Sequence, residues 1–436
     1  MKSKNSDSYK TVFMRHLERI MAALYTDDNS LVAQTEQFYQ STSDAVPINL
    51  FPDLLFTAER ILNLTEGSIQ QETLTRSAKV LGSLQLTVPD STRRWREVQF
   101  SFKPIYRAVL ALRLLDHTLE HKQLTDPKLQ AHFAARQPGN ADCQYRLYVQ
   151  TPLVIAILLL DSGLHDPKTL AILYGNKIQQ LDPLRAMSGQ ERVDFNTTNQ
   201  NARSLLTQKG LRPSAYRGNC KLEQQQHQKM QQTQLQLVQA IIQLVENAQS
   251  ILGNIAKIPQ IYSSVVLPGR NRFRYESLPK VVLILKQAAK RLQVDAKLVD
   301  QLLRITGIFP QGYGIAFLPK QLDLSTQEKY ELAIVNQLYP PSPEQPLCRV
   351  VTRNLQYRRG GQNCQISVDY NLYFKPARDK LTIMPEQRLR EILSKLSADW
   401  HPGELRRLVP RYWQPSEFFS HSDQQNLWNQ APKVIN

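Results

Sequence analysis

Residues 156–167 read AILLLDSGLHDP: an apolar run closes on Asp161-Ser162-Gly163, and a His165-Asp166 pair follows. Carboxylate and imidazole are the side chains that hold divalent metal ions, which activate water against a phosphodiester. The pair falls beyond the end of the apolar run, with Pro167 next, a setting in which Asp166 suits a helix cap better than a metal ligand. His117 and His121 stand four apart on one helical stretch, which could suit a metal, but they have no HExxH setting and no third ligand. Basic and aromatic residues interleave at Arg93-Arg94-Trp95-Arg96, at Arg270–Tyr275 and at Tyr357-Arg358-Arg359. Such mixing suits stacking on a base together with pairing to phosphate. In the second stretch Arg270, Arg272 and Arg274 alternate, so an extended chain turns all three to one side. Phe273 and Tyr275 then face the other side, and base stacking requires a bend. No Walker loop, GxGxxG after a strand, GxSxG elbow or zinc-knuckle spacing occurs.

These residues must be carried by helices. Apolar spacing predicts helices around 9–26, 30–41 and 51–64, and again through IYRAVLALRLLDHTLEH and YRLYVQTPLVIAILLL, the last apolar enough to be buried. Leu84–Val88 alternates and suggests a strand. The glutamine-rich segment Leu222–Leu252 carries two neighbouring apolar stripes, as expected of a central helix. Pro279 should open a further helix, and Asp295 should cap the next. From Ile308 the period changes: GIAFL, AIVNQLY, LCRVVTRNLQY and CQISVDYNLYF read as strands, with a hairpin candidate at Arg359–Gln362. A last helix is expected over about 385–396, then an irregular tail. The fold class is therefore mainly α, with a small antiparallel β meander near the C-terminus. The divisions are 1–100 (mostly helical), 101–320 (helical domain), 321–380 (β extension) and 381–436 (helix and tail).

The 436 residues hold 54 Lys+Arg against 38 Asp+Glu, a formal net charge of +16. That excess attracts anionic partners, whether nucleotide, nucleic acid, membrane surface or acidic protein. Hydrophobic content of 42% and charged content of 21% belong to a globular chain. The longest apolar run, Pro152–Leu160, is too short to span a bilayer. The N-terminal stretch is broken by Arg15, His16, Glu18 and Arg19, which makes it an amphipathic helix, and a cytoplasmic location is expected. Cys143, Cys220, Cys348 and Cys364 form no CxxC pair, so neither disulfides nor structural zinc are expected.

The segment KLVDQLLRITGIFPQGYGIAFLPKQLDLSTQEKYELAIVNQLYPPSPEQPLCRVV resembles the C-terminal part of HD-GYP domains, metal-dependent phosphodiesterases that hydrolyse cyclic di-GMP; the resemblance extends over roughly 101–355. It implies a helical HD-type bundle whose metal ligands are an early histidine, a His-Asp pair ending a buried helix, further histidines and a late aspartate. Most of those ligands are missing. LLLDSGL stands where the family has LLHDIGK, so Leu160 replaces the histidine and Leu164 the lysine, while Asp161 and Gly163 remain. Tyr106 occupies the first histidine's place, Asn196–Thr198 contains none, and the signature loop retains at most His227. The late aspartate falls on Glu246, and Arg274 and Phe273 match a family Arg-x-Tyr-Arg stretch near the pocket.

Asp161, Glu246 and His227 are thus the vestigial metal-site positions, and Arg270, Arg272 and Arg274 the candidate anion-binding residues. No catalytic residue, metal or cofactor is expected. The first functional expectation is an inactive HD-GYP-like regulatory or scaffolding protein that binds an acidic partner or a cyclic dinucleotide without hydrolysis. The second is an active metal phosphohydrolase with shifted ligands, His165, Asp166 and Asp161. The third is a basic nucleic-acid-binding protein.

Overall fold

Side-chain caps set where many of the helices start. Thr11 accepts from Met14 N (3.3 Å) ahead of α1 (Val12–Tyr25), and Ser30 from Ala33 N (3.3 Å) ahead of α2 (Leu31–Gln40). Each cap oxygen satisfies an amide that no intrahelical carbonyl can reach. α3 (Phe51–Thr65) begins with proline in its first turn, and α4 (Gln70–Thr87) follows. The segment Leu84–Val88, expected as a strand, is instead the end of α4. Leu84, Gln85 and Leu86 are all buried in succession, so helix burial, not a two-residue period, explains its apolar character. The computed structural model describes residues 10–41, 48–89, 94–174, 186–268, 273–319, 330–358, 360–381, 387, 390–391, 394–395 and 410–429.

A short α5 (Trp95–Glu97) and a wide turn at Val98–Phe102 lead into α6 (Lys103–Glu120), α7 (Pro127–Ala134) and α8 (Thr151–Leu158). α9 (Pro167–Tyr174), α10 (Gly189–Lys209), α11 (Lys221–Leu244), α12 (Ile251–Val266), α13 (Val281–Lys290) and α14 (Ala296–Thr306) complete the bundle. α6 and α8 form its middle: α8 is buried throughout and α6 from Lys103 to Leu119. α3, α11, α12 and α14 pack around them. The stretch Arg146–His165 is long and apolar enough to cross a membrane, but it is mostly buried inside this core.

The glutamine-rich segment does not make one central helix. α11 ends at Leu244, and Ser250 caps α12 through Gly253 N (3.0 Å). A Cβ on Gly253 would lie 2.0 Å from the Leu244 carbonyl oxygen, so the close approach of the two helix ends requires glycine. α11 buries only one face, including Leu235, Val238, Ile241 and Ile242, and its first half is exposed. Pro279 lies inside a 3-10 turn, Tyr275–Lys280, and α13 starts at Val281 rather than at the proline. Asp295 caps α14 as expected, accepting from Leu298 N at 2.9 Å.

The strands β1 (Gly314–Phe317), β2 (Glu331–Val335) and β3 (Leu347–Val350) are followed by a two-stranded ribbon, β4 (Thr352–Arg353) and β5 (Gln356–Tyr357), and then β6 (Asn363–Gln365). The main sheet is antiparallel in the order β1-β2-β3-β6, with Gly314 opposite Ile334 and Cys348 opposite Cys364. All four cysteines are free. A tight turn at Asn354-Leu355, where both residues have positive φ (52° and 60°), joins β4 to β5, and of the turn expected at Arg359–Gln362 the first residue lies outside the described residues. CQISVDYNLYF is strand only over its first residues. α15 (Lys375–Leu381) and α16 (Ser416–Ser420) come last, and the helix expected near 385–396 lies mostly outside the described residues.

One hydrophobic cluster runs from Met14 to Trp428, and a smaller one gathers Leu278, Phe309, Tyr313, Ile315 and Val335 on the sheet. The tail is docked on this body. Trp413 Nε1 donates to the Ala333 carbonyl (3.0 Å), and a Cβ on Gly82 would meet the Trp428 ring at 2.3 Å.

Candidate functional site

The turn after α8 is built by its neighbours. α8 is apolar after Thr151 and stops at Leu158, and a 3-10 turn at Ser162–His165 carries the chain to α9. α10 crosses this turn so closely that a Cβ on Gly163 would lie 2.4 Å from the Asn199 carbonyl oxygen. Gly163 is therefore needed for packing in this chain, whatever its ancestry.

Asp161 points into the bundle and is almost fully buried. Its Oδ2 accepts from Gln99 Nε2 (2.6 Å) and from the guanidinium of Arg107 on α6, itself 2% exposed. Arg107 Nε donates to Ser263 Oγ on α12 (2.8 Å), and Lys103 Nζ donates to Gln99 Oε1 (2.8 Å). A buried carboxylate is thus neutralised by a buried cation whose remaining donors are partly satisfied, which is the condition for tolerating either charge inside a protein.

Glu246 sits in the turn between α11 and α12, not on a helix. Lys257 Nζ approaches its Oε2 at 2.7 Å and Arg203 Nη2 its Oε1 at 3.5 Å. Burial alone would raise the Glu246 carboxyl, but Lys257 and then Arg203 outweigh it and hold it below the usual range. Arg203 also donates to the Leu160 carbonyl (3.3 Å), so a second guanidinium stands at the C-terminal end of α8, where positive charge is favoured. His227 belongs elsewhere: its Nε2 is 3.4 Å from Ser214 Oγ and its ring packs on Tyr216. Tyr106 is buried against Tyr262, and burial pushes its phenol well up, so it stays neutral.

His165 is buried against Phe100, with Nδ1 3.3 Å from Glu36 Oε1. That contact, followed by the Arg96 bond, outweighs burial and lowers the Glu36 carboxyl to about 2. Asp166 caps α9, accepting from Thr169 N at 2.9 Å. A cavity of about 20 Å³ touches both Asp161 and His165, roughly the space of a single water. His117 and His121 lie ring to ring at 4.0 Å, at the far end of α6. The Tyr339 hydroxyl is 3.3 Å from His117 Nδ1, while burial, then His121 and Arg304, bring His117 down to about 4. Among the described residues, no three His, Cys, Asp or Glu side chains gather as a metal site would require. Arg274 lines a separate cleft, and Arg270 and Arg272 lie outside the described residues.

The structure therefore brings Asp161 and Glu246 to the same helix end, each with its own cations, and separates them from His227. Sequence reasoning missed Arg107, Arg203 and Gln99. The signal for Arg107 was available: it interrupts the apolar run IYRAVLALRLL, and a charge inside a buried helix demands a partner. Arg113, six residues on, obeys the same rule. It bonds Glu66 and approaches Asp116 Oδ2 at 3.2 Å, with Arg136 completing a balanced buried cluster. Compared with known proteins, the chain matches no family model, no curated protein and no solved structure.

Proposed function

We propose that this chain is a non-catalytic relative of the HD-GYP phosphodiesterases, a regulatory or scaffolding module that acts by binding and not by hydrolysis. The supporting observation is the Arg107–Asp161 pair. The aspartate that a metal centre would use already has its charge matched by a guanidinium fixed to the protein. That guanidinium also opposes a metal ion. Two unit charges 4 Å apart interact by about 4 kcal/mol at an effective dielectric of about 20, and a divalent ion doubles the penalty. Arg203 and Lys257 do the same at Glu246. In this reading arginine has taken over the charge-balancing role of the lost metals and keeps the bundle closed around the old site. Binding then falls to the basic exterior, and the net charge of +16 favours an acidic protein partner or an anionic small molecule.

The test is elemental analysis of the purified full-length protein after incubation with manganese and iron, beside a cyclic di-GMP hydrolysis assay. The expected result is no stoichiometric metal and no turnover. One or more ions per chain, or turnover that vanishes in Asp161→Ala, would overturn the reading.

A further inference from the structure

α13 is apolar on two opposite sides, and the core uses only one of them. Val281, Leu285 and Ala288 share the buried face, as their four- and three-residue spacing requires. Leu283 (65% exposed) and Ile284 (42%) stand on the opposite face, toward solvent. Single exposed aliphatic residues are ordinary on a protein surface. The residue at the other end of the same helix is not.

Leu292, 77% exposed, follows the end of α13 with φ +54°. Gln293 N donates to the Ala288 carbonyl and Leu292 N to the Ala289 carbonyl, both at 3.0 Å. These bonds make the left-handed helix cap in which glycine is the ordinary occupant, because a Cβ is disfavoured at positive φ. Leucine there destabilises the fold, and its exposed side chain returns little by burial. The same cap ends α6, where Gln123 N donates to the Thr118 carbonyl (3.0 Å) and the positive-φ residue is Lys122, which water solvates. The cap geometry therefore accepts a polar residue and does not explain an aliphatic one. Strain kept at an exposed apolar position points to a surface that something covers.

The charges of this face narrow what covers it. Lys280 at the N-cap, Lys286, Lys290 and Arg291 are all exposed, and none has an ion pair among the described residues. The exposed stripe of α14 adds Lys297 and Arg304 against Asp300. At about 1.5 Å per residue, Leu283 and Leu292 stand about 13 Å apart along the ridge, with Lys286 and Lys290 between them. A protein closing over such a ridge would bury ammonium groups between the aliphatic tips. A fluid bilayer would not: the tips enter between headgroups, while the flexible lysine and arginine side chains keep their charges at the level of the phosphates.

We propose that the outward face of α13, from Lys280 to Leu292, docks on an anionic lipid surface, with Leu283, Ile284 and Leu292 inserted among the headgroups and the four cations paired with lipid phosphates and carboxylates. The helix is 10 residues long, so it lies in the interface plane and does not span it. The face shares no residue with Asp161 or its partners, so it stands or falls independently of the metal question.

The experiment is co-sedimentation of the full chain with vesicles of phosphatidylcholine alone, or of phosphatidylcholine and phosphatidylserine in equal parts. Binding should require phosphatidylserine and fall steeply between about 0.1 M and about 1 M salt, as the screening length shrinks from about 10 Å to about 3 Å. Lys286→Gln with Lys290→Gln should weaken it about tenfold or more, and so should Leu283→Gln with Ile284→Gln. Leu292→Gly should weaken binding about fivefold and leave the thermal midpoint unchanged or higher, a combination that loss of a structural leucine would not give. Equal binding to both kinds of vesicle, binding to neither, or binding indifferent to Leu292→Gly and to the Leu283–Ile284 double change would overturn the proposal. So would retention on immobilised polyglutamate in place of the vesicles, which would assign the face to an acidic protein.

Discussion

The turn after α8 and the cleft beside Arg274 use the same materials to opposite ends. In the first, Arg107 is buried, Asp161 faces it, and Gln99 and Ser263 take up neighbouring bonds. In the second, Arg274 is exposed with no ion pair among the described residues, and Gln85 Oε1 is buried with no hydrogen-bond partner among them. Polar groups inside a protein need partners, and where the protein supplies them the region is structural. The difference lies in charge: a buried guanidinium faces a buried carboxylate in the first region, and an exposed guanidinium borders an open cleft in the second.

The comparison breaks most visibly at Arg107. Arg107→Ala should leave Asp161 as an uncompensated buried charge and lower unfolding free energy by about 3–5 kcal/mol, measured by urea denaturation. A loss under about 1 kcal/mol would mean that the pair carries no structural weight. Gly163→Ala should follow, because the new Cβ would strike the Asn199 backbone; overpacking of this kind costs about 1–3 kcal/mol.

Acid should affect the closed side of the molecule. The Glu36 carboxyl is held at about 2 in the fold against an ordinary 4.5, so its contribution is complete above pH 4.5 and is lost as pH falls toward 2. His117, lowered from 6.5 to about 4, binds its proton more readily when unfolded, so its contribution is complete above pH 6.5 and is lost as pH falls toward 4. The thermal midpoint should therefore decline from pH 6.5 to 4, and His117→Asn should flatten that part of the curve. A midpoint that rises on acidification would contradict both signs. At the open cleft the expected effect on stability is smallest: Arg274→Ala should stay within about 0.5 kcal/mol of the parent.

The amphipathic helices α1, α2 and α3, the caps at Asp166 and Asp295 and the change of period at Ile308 were legible, because each is a local signal of spacing or cap chemistry. Leu84–Val88 misled because a run of consecutive buried residues at a helix end shows no 3.6-residue pattern over so few positions. The break at Val245–Ser250 was hidden because the stripes continue across it, and only Gly253 marks the helix–helix contact. Asp161 and Glu246 were singled out by the resemblance, but their partners could not be read from it. Arg107 and Arg203 come from α6 and α10, 54 and 43 positions away, and no local pattern joins residues so far apart.

The central claim is that Asp161 is now a structural anion paired with Arg107, and a double-mutant cycle on the full chain tests it most directly. Unfolding free energies are measured for the parent, Arg107→Met, Asp161→Asn and the double variant. The account predicts that each single change is costly and that the double costs well under their sum, with a coupling of about 2 kcal/mol or more. Additive effects, with coupling below about 0.5 kcal/mol, would contradict it.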